Sequence, residues 1–414
     1  MLKIIRRIIV MLIIIICIPI NIFAQDLEDE YEELDYVWLE EEITKAKEQD
    51  EIIINSKNAV IYDRESKTII WGKDENKKVP MASTTKIMTA IIMLENITNL
   101  NEKIEVSKQA AITGGSRLGL KTGDIITYND LLYGLMLCSG NDAAVQIAIS
   151  VAGDIENFAK LMNEKAKEMG LVNSNFVVPH GLDNVNHYTT AAELAIMADY
   201  GLNIKKFHEV VATKTYTVTI NGYPKTINNT NELLGYLEGV NGVKTGFTNG
   251  AGRCLVTSVE RNGFNIITVV LGADTKKIRT KDSIKLIEWT YRKYELVNIE
   301  EVVNNEFENW KQINEKRIEV YKGKNKYVKT KLGALKYKKY PVLKSEIDNI
   351  YIDISSIFKI EAPINNNIKI GKVKIRLNTT EIINADILVK EKIERKTYMD
   401  YFKELLWLYK ADKL

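Results

Sequence analysis

The chain has 414 residues, of which 45% are hydrophobic and 27% charged, a composition typical of a folded globular protein long enough for two domains. Its formal net charge is only +2, and its basic residues form no block interleaved with aromatic ones. This distribution excludes nucleic acid as the expected partner.

The first residues have the pattern of an export signal. Three basic residues precede an uncharged apolar run over 8–22, and Ala24 offers a small residue for cleavage. We therefore predict a signal peptide over 1–24 and a protein that works outside the cytoplasm. An uncleaved membrane anchor is the alternative, although the apolar run is short for a membrane span.

Residues 25–50 are strongly acidic, and their composition predicts a solvated, partly disordered leader. Two strands follow, over 58–63 and 68–71, because both runs are β-branched or aromatic and a polar turn joins them. A folded domain therefore begins near residue 51.

Ser83 opens an apolar run with helical spacing that extends to about Asn96, and Lys86 follows three residues later. Positions i and i+3 lie on one face of a helix, so the hydroxyl and the amine can meet. Serine needs an adjacent base to act as a nucleophile, and a neutral lysine can be that base. The same spacing recurs at Ser356 and Lys359 without supporting context. We interpret that second copy as surface and core residues of a strand-rich region.

A polar tripeptide, Ser139-Gly140-Asn141, interrupts two apolar helical segments, one over 131–137 and one that begins at Asp142. A loop held this rigidly is a candidate for exposed chemistry. An ordinary helix–helix turn with a capping glycine is the alternative.

Two further helices are predicted over 155–170 and 191–200. The loop between them contains His180 and His187. Either histidine can be catalytic, but the favoured interpretation is that they fix the loop. The two cysteines after the signal, Cys138 and Cys254, can pair or remain as two buried thiols.

The sequence Lys244-Thr245-Gly246 begins a strand that precedes an antiparallel pair over 254–259 and 264–271. An Asn-Gly turn joins that pair, which is a strong hairpin signal. An earlier Lys-Thr-Gly at residues 121–123 lacks the strand pair, so we interpret it as a decoy. A helix over 280–295 closes this domain.

From residue 297 to residue 392, short strand-like segments alternate with turns rich in Lys and Asn, which predicts a β-rich domain without catalytic residues. Residues 393–414 place apolar side chains on one face of a helix flanked by lysines. This pattern favours a helix in a membrane interface. Packing on the β-rich domain is the alternative.

Three short motifs occur in this order along the chain: Ser83-x-x-Lys86, Ser139-x-Asn141 and Lys244-Thr245-Gly246. Their order and context resemble the serine penicillin-recognising enzymes. The match is closest to the low-molecular-mass penicillin-binding proteins that act as D-alanyl-D-alanine carboxypeptidases, and it covers about residues 55–295.

This resemblance implies the fold class. We expect an α/β (α+β) catalytic domain of the β-lactamase/transpeptidase type over 51–296. Its antiparallel sheet would be flanked by helices and joined by a helical subdomain. The small β-rich domain would follow it.

The resemblance also implies the catalytic roles. Ser83 is the nucleophile, Lys86 is the base, and Ser139 relays a proton to the leaving amine. Lys86 has to be neutral to accept a proton, and burial beside the cationic Lys244 favours the neutral amine.

Substrate binding is implied for a second group of residues. Asn141 would hold the Lys86 amine and a substrate amide. Lys244 and Thr245 would bind a terminal carboxylate, with Arg279 as a further contact. Gly246 would let the substrate backbone approach closely, and the backbone N–H groups of Ser83 and Phe247 would form an oxyanion hole.

The implied reaction is a two-step acyl transfer that removes the terminal D-alanine from a peptidoglycan stem pentapeptide, with no metal or organic cofactor. Penicillins would acylate the same serine. A serine β-lactamase is the nearest alternative, but no Glu between the second and third motifs lies in a Glu-x-x-Leu-Asn setting. A catalytically weak wall-binding homologue, a transpeptidase and an endopeptidase also remain open.

Overall fold

The structure, a computed structural model, describes residues 35–411. The predicted export signal over 1–24 lies outside the described residues. The helices are α1 (Tyr36–Glu48), α2 (Lys86–Asn96), α3 (Lys108–Ala111), α4 (Tyr128–Met136), α5 (Asn141–Ala152), α6 (Ile155–Glu168), α7 (Ala191–Leu202), α8 (Lys205–Val211), α9 (Lys276–Lys293), α10 (Ile299–Asn314) and α11 (Tyr398–Ala411), with short 3-10 helices at Ala82–Thr85, Glu315–Arg317 and Lys344–Asn349.

The strands fall into a first group up to residue 273 and a second group after residue 293. The first group is β1 (Asn58–Asp63), β2 (Thr68–Lys73), β3 (Lys103–Glu105), β4 (Ile125–Thr127), β5 (Thr215–Ile220), β6 (Tyr223–Asn228), β7 (Val240–Thr248), β8 (Gly252–Arg261) and β9 (Phe264–Ala273). The second group is β10 (Tyr294–Asn298), β11 (Glu319–Tyr321), β12 (Thr330–Leu332), β13 (Lys339–Leu343), β14 (Ile350–Ser356), β15 (Lys359–Glu361), β16 (Lys369–Leu377) and β17 (Thr380–Val389).

A five-stranded antiparallel sheet in the order β2-β1-β9-β8-β7 is the centre of the first domain. Its register aligns Val60, Val269, Val256 and Lys244 in one row across four strands. Directly opposite residues of antiparallel strands point to the same face. The Lys244 side chain therefore lies on the face that carries these three valines.

Both faces of this sheet are buried, because apolar side chains alternate along its inner strands. Along β9, Ile267 and Val269 join one core while Ile266 and Val270 join the other. Helices cover both cores. The result is a sheet between two helical layers.

The larger core contains the helical subdomain. Helices α4, α5 and α6 contribute Leu131, Ile147 and Phe158 to the same cluster as Ile91 of α2. All four side chains are completely buried. This packing fixes α2, and with it the turn that contains Ser83, against the sheet.

The prediction of a solvated leader is wrong for α1. This helix buries Leu39 and Ala46 against the second core, beside residues of α9. The buried Glu42 carboxylate accepts from Lys281 of α9 at 2.8 Å and from Lys45 at 3.2 Å. The sequence does not reveal the partner in α9, because Lys281 lies more than two hundred residues from Glu42.

A second antiparallel sheet, β12-β17-β16-β14, organises the C-terminal part of the chain. The sequence prediction of this region as strands and turns missed α10. Ile299, Val303 and Phe307 of α10 are spaced four residues apart and pack on the core that contains Val373 and Ile387. This spacing is the pattern of one helix face, which the polar residues between them obscured.

The last helix, α11, exposes every side chain over 401–410 to solvent, including large apolar ones such as Phe402, Leu405 and Trp407. No helix within residues 35–411 combines the length and the apolar character needed to cross a membrane.

Candidate active site

Ser83 lies in the 3-10 turn Ala82–Thr85, directly before α2 begins at Lys86. The Thr85 hydroxyl donates to the Ala82 carbonyl at 2.8 Å and closes this turn. Gly181 packs against the same carbonyl so closely that a Cβ at Gly181 would lie 1.8 Å from it. The turn is therefore held from inside the helix and from the neighbouring loop.

The structure brings the predicted nucleophile and base together. Lys86 Nζ lies 2.8 Å from Ser83 Oγ, and the lysine side chain is completely buried. The same amine donates to Asn141 Oδ1 at 2.7 Å and to the His180 carbonyl at 2.9 Å. These two oxygens can only accept. When the amine is neutral, its two N–H groups can serve them and its lone pair can face Ser83.

Both histidines of the loop are buried and neutral at neutral pH. Burial, followed by the neighbouring Lys86, lowers the pKa of His180 to about 3, and burial lowers the pKa of His187 to about 4. His187 Nδ1 accepts from the Val177 N–H at 3.2 Å, and Nε2 lies 2.7 Å from the Thr85 hydroxyl. His180 Nδ1 accepts from the Leu182 N–H at 3.2 Å within the same loop. These bonds agree with the interpretation that the two histidines fix the loop.

Ser139 and Asn141 lie at the junction of α4 and α5. Asn141 reaches Lys86 with its amide oxygen and donates from Nδ2 to the Gly114 carbonyl at 2.8 Å. Ser139 is completely buried with a φ of 60°, which turns its backbone out of the helical path. Its hydroxyl has no hydrogen-bond partner among the described residues.

The third motif occupies β7, at one end of the central sheet. A Cβ at Gly246 would lie 3.0 Å from the Ser83 backbone nitrogen, so this strand passes directly beside the nucleophile. Lys244 is 1% exposed and donates to the Thr245 carbonyl at 3.0 Å. The Thr245 hydroxyl lies 2.6 Å from that of Thr230.

The next residue along the strand, Phe247, is half-buried, and the Arg253 guanidinium stacks 3.7 Å from its ring centre. Since Arg253 is the residue of β8 that pairs with Phe247, this stack ties the end of β7 to β8.

Arg279 lies in α9, where its guanidinium forms an ion pair with the buried Glu232. Burial would raise the pKa of Glu232, but the charge of Arg279 and the Thr280 hydroxyl outweigh burial and lower it. The predicted contact of Arg279 with a substrate carboxylate stays a prediction.

The sequence motifs did not include three of these contributors: the His180 carbonyl, Thr230 and Glu232. A backbone carbonyl carries no signal in a sequence. Thr230 and Glu232 act only through tertiary contacts with the third motif and with α9.

A family model described as D-alanyl-D-alanine carboxypeptidase matches residues 43–275. A second model, described as the C-terminal domain of penicillin-binding protein 5, matches residues 307–395.

Individual proteins support the same assignment. The D-alanyl-D-alanine carboxypeptidase DacF of Bacillus subtilis is 29% identical over 87% of this chain and 91% of its own length. Penicillin-binding protein 5 of Haemophilus influenzae superimposes with a TM-score of 0.68 at 26% identity, over 83% of this chain and 98% of that one. The Streptomyces K15 DD-transpeptidase superimposes with a TM-score of 0.54 at 32% identity, over 57% and 97%. The predicted fold class is confirmed.

Proposed function

Because this chain belongs to the D-alanyl-D-alanine carboxypeptidase family, we propose that Ser83 is the nucleophile with which it attacks the peptide bond between the last two D-alanines of a peptidoglycan stem peptide. The protein is a serine-type hydrolase of the cell wall that acts outside the cytoplasm. The observation that carries the assignment of Ser83 is its 2.8 Å contact with a buried amine that has two further acceptors.

In the first step, the Ser83 hydroxyl donates its proton to the Lys86 lone pair while Oγ bonds to the carbonyl carbon. The carbonyl π electrons move to the oxygen. The backbone N–H groups of Ser83 and Phe247 would stabilise this oxyanion, a contribution of about 3–4 kcal/mol per donor. Ser83 is the second residue of the 3-10 helix, and N–H groups in the first turn of a helix have no partner within it.

In the second step, the carbon–nitrogen bond breaks and D-alanine leaves with a proton that passes from Lys86 through the Ser139 hydroxyl. Water then adds to the acyl carbon while one of its protons passes to Lys86. The bond between that carbon and Ser83 Oγ breaks, and Oγ takes the proton back from Lys86. Ser139 suits this relay, because its buried hydroxyl is engaged by no described residue and lies two residues from Asn141. Asn141 would hold the Lys86 amine and the substrate backbone amide.

The substrate carboxylate would bind at β7. Lys244 supplies the positive charge and Thr245 a hydroxyl, which the Thr230 hydroxyl orients from 2.6 Å. Gly246 lets the substrate backbone approach the strand. Penicillins would enter the same cleft and acylate the same serine.

Attachment to the membrane is the second part of this proposal. Residues 1–24 would export the chain, and α11 within 393–414 would then lie in the interface at the outer face of the cytoplasmic membrane. The solvent exposure of Phe402 and Leu405 supports this arrangement, since an apolar helix face needs a partner. The domains would then be the catalytic one over 51–296 and the β-rich one over 297–392.

The test of the nucleophile is intact-mass analysis after incubation with a penicillin, followed by mapping of the modified peptide. We expect one adduct, on Ser83, and release of D-alanine from a pentapeptide mimic. Ser83→Ala should lose both. Ser356→Ala is the matched control, because Ser356 and Lys359 repeat the spacing elsewhere. An adduct that persists in Ser83→Ala would refute the assignment.

The same protein and penicillin adduct distinguish a carboxypeptidase from a β-lactamase, and the same pentapeptide assay distinguishes it from a transpeptidase. A penicilloyl-enzyme that lasts for minutes or longer indicates a carboxypeptidase, whereas turnover within seconds indicates a β-lactamase. The relative from Streptomyces K15 is described as a DD-transpeptidase. Adding a D-amino acid acceptor to the pentapeptide assay therefore measures transfer against hydrolysis.

A further inference from the structure

The carboxylate of Asp142, the residue after Asn141, is completely buried and receives three consecutive backbone N–H groups. Leu118 donates to Oδ1 at 2.8 Å, and Gly119 and Leu120 donate to Oδ2 at 2.8 and 2.9 Å. Hydrogen bonds to an ionised carboxylate are roughly twice as strong as neutral ones. Asp142 thus fastens the loop over residues 113–120 to the start of α5.

The 113–120 loop in turn holds Asn141. Its Gly114 carbonyl accepts from Asn141 Nδ2 at 2.8 Å, and its Ser116 carbonyl accepts from the Asn141 backbone N–H at 2.8 Å. Because Nδ2 has to face Gly114, Oδ1 has to face Lys86, where the distance is 2.7 Å. A flipped amide would place its NH2 group against the Lys86 amine.

The 113–120 loop packs closely against the tripeptide that contains Asn141. A Cβ at Gly140 would lie 2.9 Å from Asp142 Oδ1 and 3.1 Å from the Leu118 nitrogen, so loop and tripeptide are in direct contact. On the outer side, the Lys225 ammonium of β6 donates to the Leu118 carbonyl. The loop is therefore clamped between a buried anion and a surface cation.

We propose that Asp142 is a positioning residue for catalysis. It acts through the 113–120 loop to fix the Asn141 amide and thereby the Lys86 amine beside Ser83. Asp142 itself touches none of the reacting atoms. This inference rests on the proposed roles of Ser83 and Lys86.

The experiment measures acylation of the full protein by a fluorescent penicillin in stopped flow, which separates the maximal rate constant from the half-saturating concentration. For Asp142→Asn we expect the rate constant to fall by about 10-fold to 100-fold, because displacement of a catalytic group by about 1 Å can cost that much. The half-saturating concentration should change by less than about threefold, since the carboxylate subsite on β7 is intact.

Asp282→Asn is the matched control. Asp282 is equally buried and also accepts backbone N–H groups, from Asn55 at 3.0 Å and Ser56 at 2.7 Å, but it lies in α9. The Asp282→Asn variant should lower the thermal midpoint as Asp142→Asn does, but its acylation rate constant should stay within about twofold of the wild-type value. Equal rate effects of the two variants would mean that Asp142 has only a structural role.

The decisive comparison adds Asp142→Asn to Asn141→Ala. If Asp142 acts through Asn141, Asp142→Asn lowers the acylation rate constant of the Asn141→Ala variant by less than about threefold. A full additional loss would overturn the proposal. If Asp142→Asn does not fold, Lys225→Met can replace it, because this substitution loosens the same loop from the surface. The proposal then requires that Lys225→Met lower the acylation rate constant slightly in the wild-type background and leave it unchanged when Asn141→Ala is already present.

Failure of the proposed function has a different signature. Wild-type protein that forms no adduct on Ser83 would refute the assigned nucleophile before any variant is compared. Wild-type protein that is acylated on Ser83, with Asp142→Asn indistinguishable from Asp282→Asn, would refute only the inference on Asp142.

Discussion

Gly246 and Ser83 lie so close together that a Cβ on the glycine would be 3.0 Å from the Ser83 backbone nitrogen and 3.1 Å from that of Thr84. Both neighbours are backbone atoms of a closed turn and cannot rotate away. The absence of a side chain at Gly246 therefore sets the width of the cleft between β7 and the nucleophile.

Gly246→Ala should push β7 away from the 3-10 turn by a few tenths of an ångström and misplace the two predicted oxyanion donors. We expect the penicillin acylation rate to fall about 10-fold to 100-fold, since each such donor is worth about 10²–10³-fold. Gly72→Ala in β2 is the control, because its Cβ would meet only the flexible Glu75 side chain. An unaffected rate in Gly246→Ala would contradict the oxyanion geometry.

Arg279 and Glu232 form a buried ion pair, so removing one partner leaves an uncompensated charge. Arg279→Met should lower the free energy of unfolding by about 3–5 kcal/mol, and Glu232→Gln in the same chain should restore most of it. Urea unfolding measures both. If Arg279 also contacts the substrate carboxylate, the stable double variant will still show a raised KM for a pentapeptide mimic. An unchanged KM would assign Arg279 a structural role alone.

His187 predicts a dependence of stability on pH. Its folded pKa of about 4 lies below its ordinary value of 6.5, so the unfolded chain binds a proton first as the pH falls. The stabilisation by neutral His187 is complete above pH 6.5, and about 2 kcal/mol of it is lost between pH 7 and pH 5.

The comparison for this prediction is His187→Gln, which can still bond to Thr85 and Val177 but does not titrate. Wild-type protein and variant are unfolded with urea at several pH values. The variant should lose about 2 kcal/mol less than the wild type between pH 7 and pH 5. Parallel pH profiles would show that His187 titrates normally.

Leu39 tests whether α1 is part of the folded domain. Its side chain is 1% exposed, and Leu39→Ala should lower the free energy of unfolding by about 2–5 kcal/mol. Val37, on the same helix, is 70% exposed, and Val37→Ala should change it by less than about 0.5 kcal/mol. If both substitutions change the free energy of unfolding equally and only slightly, α1 is a solvated leader and not part of the folded domain.

The exposed apolar face of α11 predicts binding to lipid. Phe402→Asp/Leu405→Asp should abolish flotation of the protein with phospholipid vesicles, because two carboxylates cannot enter the apolar layer. Asn304→Asp/Asn305→Asp adds the same charge to exposed positions of α10 and should float like the wild type. Equal flotation of all three proteins would remove α11 from the proposed attachment.

The local part of the site could be predicted from the sequence. The distance from Ser83 to Lys86 follows from helical spacing alone, and the hairpin of β8 and β9 follows from alternation and its Asn-Gly turn. Joining these pieces to Asn141 and Lys244 depended on the order of three motifs, since no periodicity predicts which distant segments meet.

The missed features depend on distant partners. The acidic charge of α1 predicts a solvated segment unless Lys281 of α9 is known to lie beside Glu42. The face of α10 is only one apolar residue per turn, too sparse to outweigh its polar neighbours. The Glu232 partner of Arg279 is similarly invisible, because forty-seven residues separate them.

In the described part of the chain, β7 pairs with a strand on one side only, where β8 lies, and its other edge runs beside the turn that contains Ser83. A bound peptide can extend the sheet there by one strand. Amino-acid replacement cannot delete main-chain groups. Natural variants that escape a penicillin yet keep working on the wall would therefore arise around this edge, at residues that shape its path, more readily than within it.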